Sequence, residues 1–249
     1  MKVSAFQCEP SQKGVCASLE LFSELIGSGT GADMYVLPEM FASGLIPNPS
    51  AIAQTMDGAI VKWMTDTALR LNAAVAGSVA IVDNGCLFNR FCLARPDGAV
   101  DYYDKHHLFR YAGENLYFSA GQKRVVWNFR GVRFLPQVCY DLRFPVFSRN
   151  RDDYDVALYV ANWPLKRQVS WDVLLRARAM ENQCFVVGAN RVGDDSSGHY
   201  EGHSVIVSPY GEVLVSADDD KSQIVTAELD MERLLHFRTK FPVLDDADS

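Results

Sequence analysis

The chain has 249 residues, 48% of them hydrophobic and 22% charged, which suits a globular protein with a substantial core. A net charge of −7 and a pI near 5.2 argue against a nucleic-acid binder, which is usually basic. No run approaches the ~20 apolar residues of a membrane span. The start Met-Lys-Val-Ser-Ala-Phe-Gln lacks a signal-peptide pattern, and the six cysteines include no C-x-x-C pair, so a cytoplasmic protein with reduced thiols and no membrane partner is expected.

Residues 3–7 read as a first strand, and Val15, Leu19, Phe22, Leu25 and Ile26 fall at helical spacing within 12–26. Gly27-Ser28-Gly29-Thr30-Gly31 follows a helix rather than a strand, the reverse of a dinucleotide-binding loop, and reads as a helix cap and turn. Residues 33–38 form a short buried strand that ends at Glu39, with Pro38 suited to a strand terminus. A second helix spans 58–72. Strands 73–82 and 86–94 flank Asp83-Asn84-Gly85, a strong hairpin signal. Pro96-Asp97-Gly98 turns into strand 99–104, and a loop runs from Lys105 to residue 122.

Residues 124–129 and 132–138 make a second hairpin around Arg130-Gly131. Strand 155–160 leads to Ala161-Asn162-Trp163-Pro164. A helix over 169–183 carries Trp171, Leu174, Leu175, Ala179 and Met180, and strand 184–190 follows. A third hairpin, 203–207 and 211–216, turns at Pro209-Tyr210-Gly211, ahead of strand 223–229, a short helix and an acidic tail. No linker interrupts the alternation, so one domain over 1–249 is expected. About a dozen strands exceed one short sheet, which points to an α/β fold of two packed sheets with helices outside.

Glu39, Lys105 and Cys139 each follow an apolar strand and precede a loop. Strands in one fold can bring such ends together. A thiol is only a few per cent thiolate at neutral pH and needs a base or a cation beside it. A carboxylate can take its proton, and an ammonium can stabilise an oxyanion on a carbonyl. The set suffices for acyl transfer without a metal, a cofactor or a histidine. The alternative for a cysteine in an apolar run is a small core hydrophobe.

Leu37-Pro38-Glu39-Met40-Phe41, Tyr103-Asp104-Lys105-His106-His107-Leu108-Phe109 and Cys139-Tyr140-Asp141-Leu142-Arg143-Phe144-Pro145 together resemble the nitrilase superfamily of carbon–nitrogen hydrolases. Leu158-Tyr159-Val160-Ala161-Asn162-Trp163-Pro164 points to its omega-amidase branch. The resemblance implies a four-layer α-β-β-α sandwich, usually paired as a homodimer. It implies hydrolysis of the terminal amide of 2-oxoglutaramate or 2-oxosuccinamate through a cysteine thioester. Cys139 is then the nucleophile, Glu39 the general base, and Lys105 the oxyanion donor with the backbone N–H of Tyr140. Glu114 matches a second glutamate of the family by position. Pro136-Gln137 departs from the small or apolar residues of many relatives.

Arg143 and Arg191 are candidates for the substrate carboxylate, with a structural ion pair as the alternative for each. Phe41 and Trp163 are candidate pocket walls, with core packing the alternative. His199-Tyr200-Glu201-Gly202-His203 has a spacing seen at zinc sites, but it lacks companion cysteines and lies in a Gly/Ser-rich stretch, so no metal site is assigned. His106-His107 is assigned to packing or solvent, and Asp218-Asp219-Asp220 to a solvated turn. An amidase or carbamoylase for another small linear amide, and a non-catalytic dimerising module on the same fold, remain the alternative functions.

Overall fold

The computed structural model describes residues 1–27, 31–46 and 48–247. The chain opens with β1 (Lys2–Gln7), α1 (Val15–Gly27), β2 (Met34–Val36) and α2 (Ala59–Leu71). Then follow β3 (Ala74–Asp83), β4 (Cys86–Ala94) and β5 (Val100–Asp104). The second half holds β6 (Trp127–Phe129), β7 (Val132–Val138), α3 (Pro145–Ser148), β8 (Val156–Ala161), α4 (Gln168–Glu181) and β9 (Phe185–Asn190). It closes with β10 (Val192–Asp195), β11 (Gly198–Glu201), β12 (Val205–Val207), β13 (Val213–Ser216), β14 (Gln223–Glu228) and α5 (Met231–Lys240). The Gly27–Gly31 turn lies largely outside the described residues.

Two six-stranded sheets result, ordered β14-β1-β2-β3-β4-β5 and β13-β12-β9-β8-β7-β6. Strand alternation explains why they stack. Val3, Ala5, Met34, Val36, Phe91 and Leu93 on the first sheet meet Phe134, Val138, Val156, Leu158, Val160 and Val187 on the second, in one buried cluster. The opposite face of the first sheet carries Phe6, Tyr35, Val75 and Cys92 and is covered by Phe22 and Ile26 of α1 and Ile60, Met64 and Ala68 of α2. The opposite face of the second carries Leu135, Ala157, Tyr159 and Val186, under Trp171, Leu175 and Ala179 of α4. The layers are therefore α-β-β-α, as expected.

The turns form where the local chemistry demanded them. Asn84 and Gly85 both take positive φ (50° and 76°), the conformation a two-residue hairpin between twisted strands requires. Arg130 and Gly131 repeat it (50° and 79°). Pro136 is tolerated inside β7 because β6 pairs only with residues 132–134, so at Pro136 the strand has β8 on one side alone. Two expectations change. Met180 of α4 points to solvent, 55% exposed. The Gly/Ser-rich stretch around His199, expected to carry no regular element, is half of an antiparallel ribbon, β10 with β11, anchored by buried Val192 and Tyr200. Its polar Asp194–Gly198 tip concealed the pairing.

Phe134 lies fully buried between the sheets. Phe134→Ala should lower stability by about 3–5 kcal/mol, read as a lower urea midpoint at unchanged slope. A loss below about 1 kcal/mol would mean that this interface closes over the missing ring.

Candidate active site

The strands that lead to Glu39, Lys105, Cys139 and Asn162 all end at one end of the sandwich. β2 and β3 are parallel, and β5 shares their direction because β4 is antiparallel to both β3 and β5. β7 and β8 run parallel in the other sheet. Groups at these carboxyl ends converge across the sheet-to-sheet seam, where α/β folds commonly place ligands.

Glu39 is almost completely buried and fully hydrogen-bonded. Its Oε1 accepts from Asn89 Nδ2 (2.7 Å) and Lys105 Nζ (3.1 Å). Its Oε2 accepts from the Asn162 backbone N–H (2.9 Å). The Asn162 amide also donates to the Glu39 carbonyl (2.9 Å), which ties the two sheets together at the site. The next residue, Met40, has φ 49°, and its N–H is held by Ser78 Oγ at 3.0 Å.

Lys105 is only 2% exposed, and its ammonium bridges Glu39 and both oxygens of Glu114 (3.0 and 2.9 Å). Burial opposes its charge, but Glu114 and then Glu39 outweigh that, so the ammonium persists well above the ordinary lysine range. Glu114 also accepts from the Phe109 backbone N–H at 2.6 Å, which folds the loop after Lys105 back on the site.

Cys139 sits on a sharp bend, φ 48°, between β7 and a 3-10 turn over Cys139–Arg143. A non-glycine residue in this region persists only when its surroundings hold it. Here Asp141 does so. Its Oδ2 accepts from Val138 N (3.0 Å) and Tyr103 Oη (2.9 Å), and its Oδ1 from His107 N (2.9 Å). Nδ1 of His107 also contacts Oδ1, at 2.8 Å. One buried carboxylate thus locks the cysteine bend to the lysine loop. Burial first, and then the charge of Glu39, push the Cys139 thiol well above its ordinary value, while Lys105 pulls the other way. Burial and the Glu39 charge thus keep the Cys139 thiol protonated, with the Glu39 carboxylate lining the same cavity.

These groups open on a cavity of about 340 Å³ lined by Glu39, Lys105, Glu114, Cys139, Tyr140, Arg143, Asn162, Trp163 and Arg167, among others. Arg143 lies over the Trp163 ring at 4.9 Å and makes no ion pair among the described residues. Arg191 stands apart: its guanidinium is buried on Asp195 (3.1 Å), the Val192 carbonyl and the Tyr200 ring, and it does not line this cavity. Phe41 also lies elsewhere, packed on Phe22 and Trp63 beneath the helical layer. His106 and His107 stack on Phe147 and Phe144, a packing role.

Sequence reasoning did not single out Asn89. A lone amide in the apolar stretch 86–94 was its signal, since a buried polar group demands a partner. The register places it beside Lys105, whose N–H donates to the Asn89 carbonyl at 3.0 Å. Asp141 likewise stood in view only as part of the cysteine motif.

A four-layer sandwich with Glu39, Lys105 and Cys139 lining one cavity fits a hydrolase of carbon–nitrogen bonds. The carbon–nitrogen hydrolase family profile matches residues 2–239. The chain is 50% identical over 233 residues to Omega-amidase YafV of Escherichia coli strain K12, covering 93% of this chain and 91% of that protein. It is 36% identical over 220 residues to 2-oxoglutaramate amidase of Bacillus subtilis strain 168, covering 86% and 85%. The crystal structure of XC1258 from Xanthomonas campestris, a CN-hydrolase superfamily protein, matches with a TM-score of 0.95 at 41% identity, covering 100% of this chain and 97% of that one. The chain belongs to the carbon–nitrogen hydrolase family.

Because Glu39 holds the thiol protonated, Glu39→Gln should shift the pH midpoint of Cys139 alkylation by iodoacetamide downward while abolishing turnover. A midpoint that stays put or rises would remove Glu39 from contact with the thiol. Asp141→Asn should keep the fold and lower kcat by about 10²-fold or more, as expected when a reacting group loses its position. Turnover at the unaltered rate would show that the bend is held by other contacts.

Proposed function

We propose that the protein is an omega-amidase that hydrolyses the terminal amide of 2-oxoglutaramate or 2-oxosuccinamate to the 2-oxo diacid and ammonia. The observation that carries the reading is the convergence of Glu39, Lys105 and Cys139 on one cavity whose wall holds Arg143 without a carboxylate partner among the described residues. The names of the similar proteins from Escherichia coli and Bacillus subtilis support the same substrate class.

Cys139 Sγ attacks the amide carbon while Glu39 takes the thiol proton. The carbonyl oxygen becomes an oxyanion and is stabilised by the Lys105 ammonium and the Tyr140 backbone N–H. Glu39 returns the proton to the nitrogen, the C–N bond breaks, and ammonia leaves a thioester on Cys139. Water then gives a proton to Glu39 and attacks the thioester carbon. The C–S bond breaks, the 2-oxo acid departs, and the thiolate recovers the proton from Glu39. Glu114 positions Lys105. Glu39 serves both halves without moving, since Asn89 and Asn162 fix its two oxygens.

Arg143 is assigned to the substrate carboxylate and Trp163 to the wall that keeps the arginine extended. Arg191 has no such role, its guanidinium being engaged by Asp195 and the Val192 carbonyl away from the cavity. We further place the single domain over 1–249 as a homodimer in the cytoplasm. Val169, Val173 and Met180 share one outer face of α4, 76, 59 and 55% exposed, an apolar stripe suited to a second copy.

Ammonia release from 2-oxoglutaramate, 2-oxosuccinamate, glutamine and an N-carbamoyl amino acid, measured side by side, tests the substrate class. The two oxo-amides should lead by orders of magnitude, and comparable rates on all four would overturn it. Cys139→Ala should fold and lose all turnover. Arg143→Ala should raise KM and lower kcat/KM by about 10–10²-fold, the worth of a charged hydrogen bond, and an unchanged KM would place the carboxylate elsewhere. Light scattering should give twice the chain mass for the wild type and the chain mass for a Val169→Asp, Val173→Asp double variant.

A further inference from the structure

Two segments that mean little singly are brought together by the fold. On β11, His199 and Glu201 share a face by strand alternation, and His203 follows after Gly202. The turn after β13 supplies Asp219 and Asp220. It is pinned in place: Asp220 N donates to the Glu201 carbonyl at 3.0 Å, and buried Gln7 donates to the carbonyls of Asp218 (2.6 Å) and Lys221 (3.0 Å). His203 is fixed as well, its carbonyl accepting from Trp171 Nε1 at 2.9 Å.

Two triads form, His203-Glu201-Asp219 and His199-Glu201-Asp220, each with its ligand atoms within 4.8 Å of one another. In the first, His203 Nε2 lies 3.2 Å from Asp219 Oδ1 and 3.9 Å from Glu201 Oε2. These separations bracket the edge of about 3.4 Å that a tetrahedron of ~2.1 Å metal–ligand bonds requires. In the second, His199 Nε2 lies 2.8 Å from Asp220 Oδ1.

Both imidazoles are oriented from behind. His203 Nδ1 contacts Asp172 of α4 at 3.0 Å, and His199 Nδ1 contacts Asp194 of β10 at 3.0 Å. Such outer carboxylates fix ring and tautomer for a metal-binding histidine, with Nε2 turned to the ion. Charge points the same way. Five carboxylates surround two imidazoles, no lysine or arginine pairs with any of the five among the described residues, and even two imidazolium charges leave three carboxylates uncompensated.

We propose that this face of the ribbon binds a divalent ion of the zinc class through His203 Nε2, Glu201 and Asp219, with His199 and Asp220 forming an adjoining subsite that shares Glu201. Imidazole with carboxylate selects borderline transition ions over magnesium or calcium. The ion lies outside the catalytic cavity and takes no part in amide cleavage. It braces β11 against the turn after β13, and the ribbon it holds carries Ser196 and Ser197 in the cavity lining.

The test uses untagged full-length protein and Co²⁺ alone, followed by calorimetry and visible absorption. Wild type should bind Co²⁺ at micromolar concentration with a d–d band and no thiolate charge-transfer band, and its unfolding temperature should rise on binding. Glu201→Gln should abolish binding and the thermal shift while keeping amide turnover. His203→Gln should weaken binding at least tenfold, and His199→Gln should leave the first subsite filled. A thiolate band in the wild type, binding weaker than millimolar, or affinity in Glu201→Gln equal to wild type would overturn the assignment.

Discussion

The site depends on one buried ammonium held between two carboxylates. A charge removed from water is tolerated only when its partners repay the lost hydration, and removing one partner leaves an uncompensated charge inside the protein. Lys105 meets that condition through Glu39 and Glu114. The carboxylates in turn are held by Asn89, the Asn162 backbone and the Phe109 backbone. Each of these comes from a different segment, so the electrostatic requirement of one lysine draws β4, β5, the loop after β5 and the end of β8 to a common point.

The same constraint shapes Cys139. A thiol held protonated by a neighbouring carboxylate remains a thiol, and in the proposed mechanism reactivity waits until a substrate carbonyl offers the electron pair a destination. In the proposed mechanism the Lys105 ammonium meets the oxyanion already paired and ordered, so little reorganisation remains when charge develops. The strained φ of Cys139 is held by Asp141, whose own hydrogen bonds run to the lysine loop. Glu39, Lys105 and the Cys139 bend form one mechanically continuous unit.

Much of this was legible in the chain. Period-two apolar runs, the Asn84-Gly85 turn and amphipathic helices are local signals, and each appeared within a few residues of its expected place. Glu39, Lys105 and Cys139 were visible because a charged or nucleophilic residue at the end of an apolar strand has no packing reason to be there. Asn89 was hidden because a single amide inside a strand shows its partner only across the sheet. The β10–β11 ribbon was hidden because its strands are polar at the tip and carry little alternation. Phe41 and Arg191 had the right residue type for the pocket, but side-chain direction and nearby partners sent them elsewhere.

The amino-acid sequence by itself determined the element types, the layered α/β class, the three candidate residues Glu39, Lys105 and Cys139 and, through its motifs, the family. Those rest on local backbone preferences and on residue identity, which need no third dimension. Only the tertiary structure decided which arginine faces the cavity, that Asn89 and Asn162 hold Glu39 and Asp141 holds the Cys139 bend, and that residues 199–203 meet 219–220. These are contacts between residues 16 to 123 positions apart, and their geometry follows from strand register and sheet stacking, which the linear order does not display.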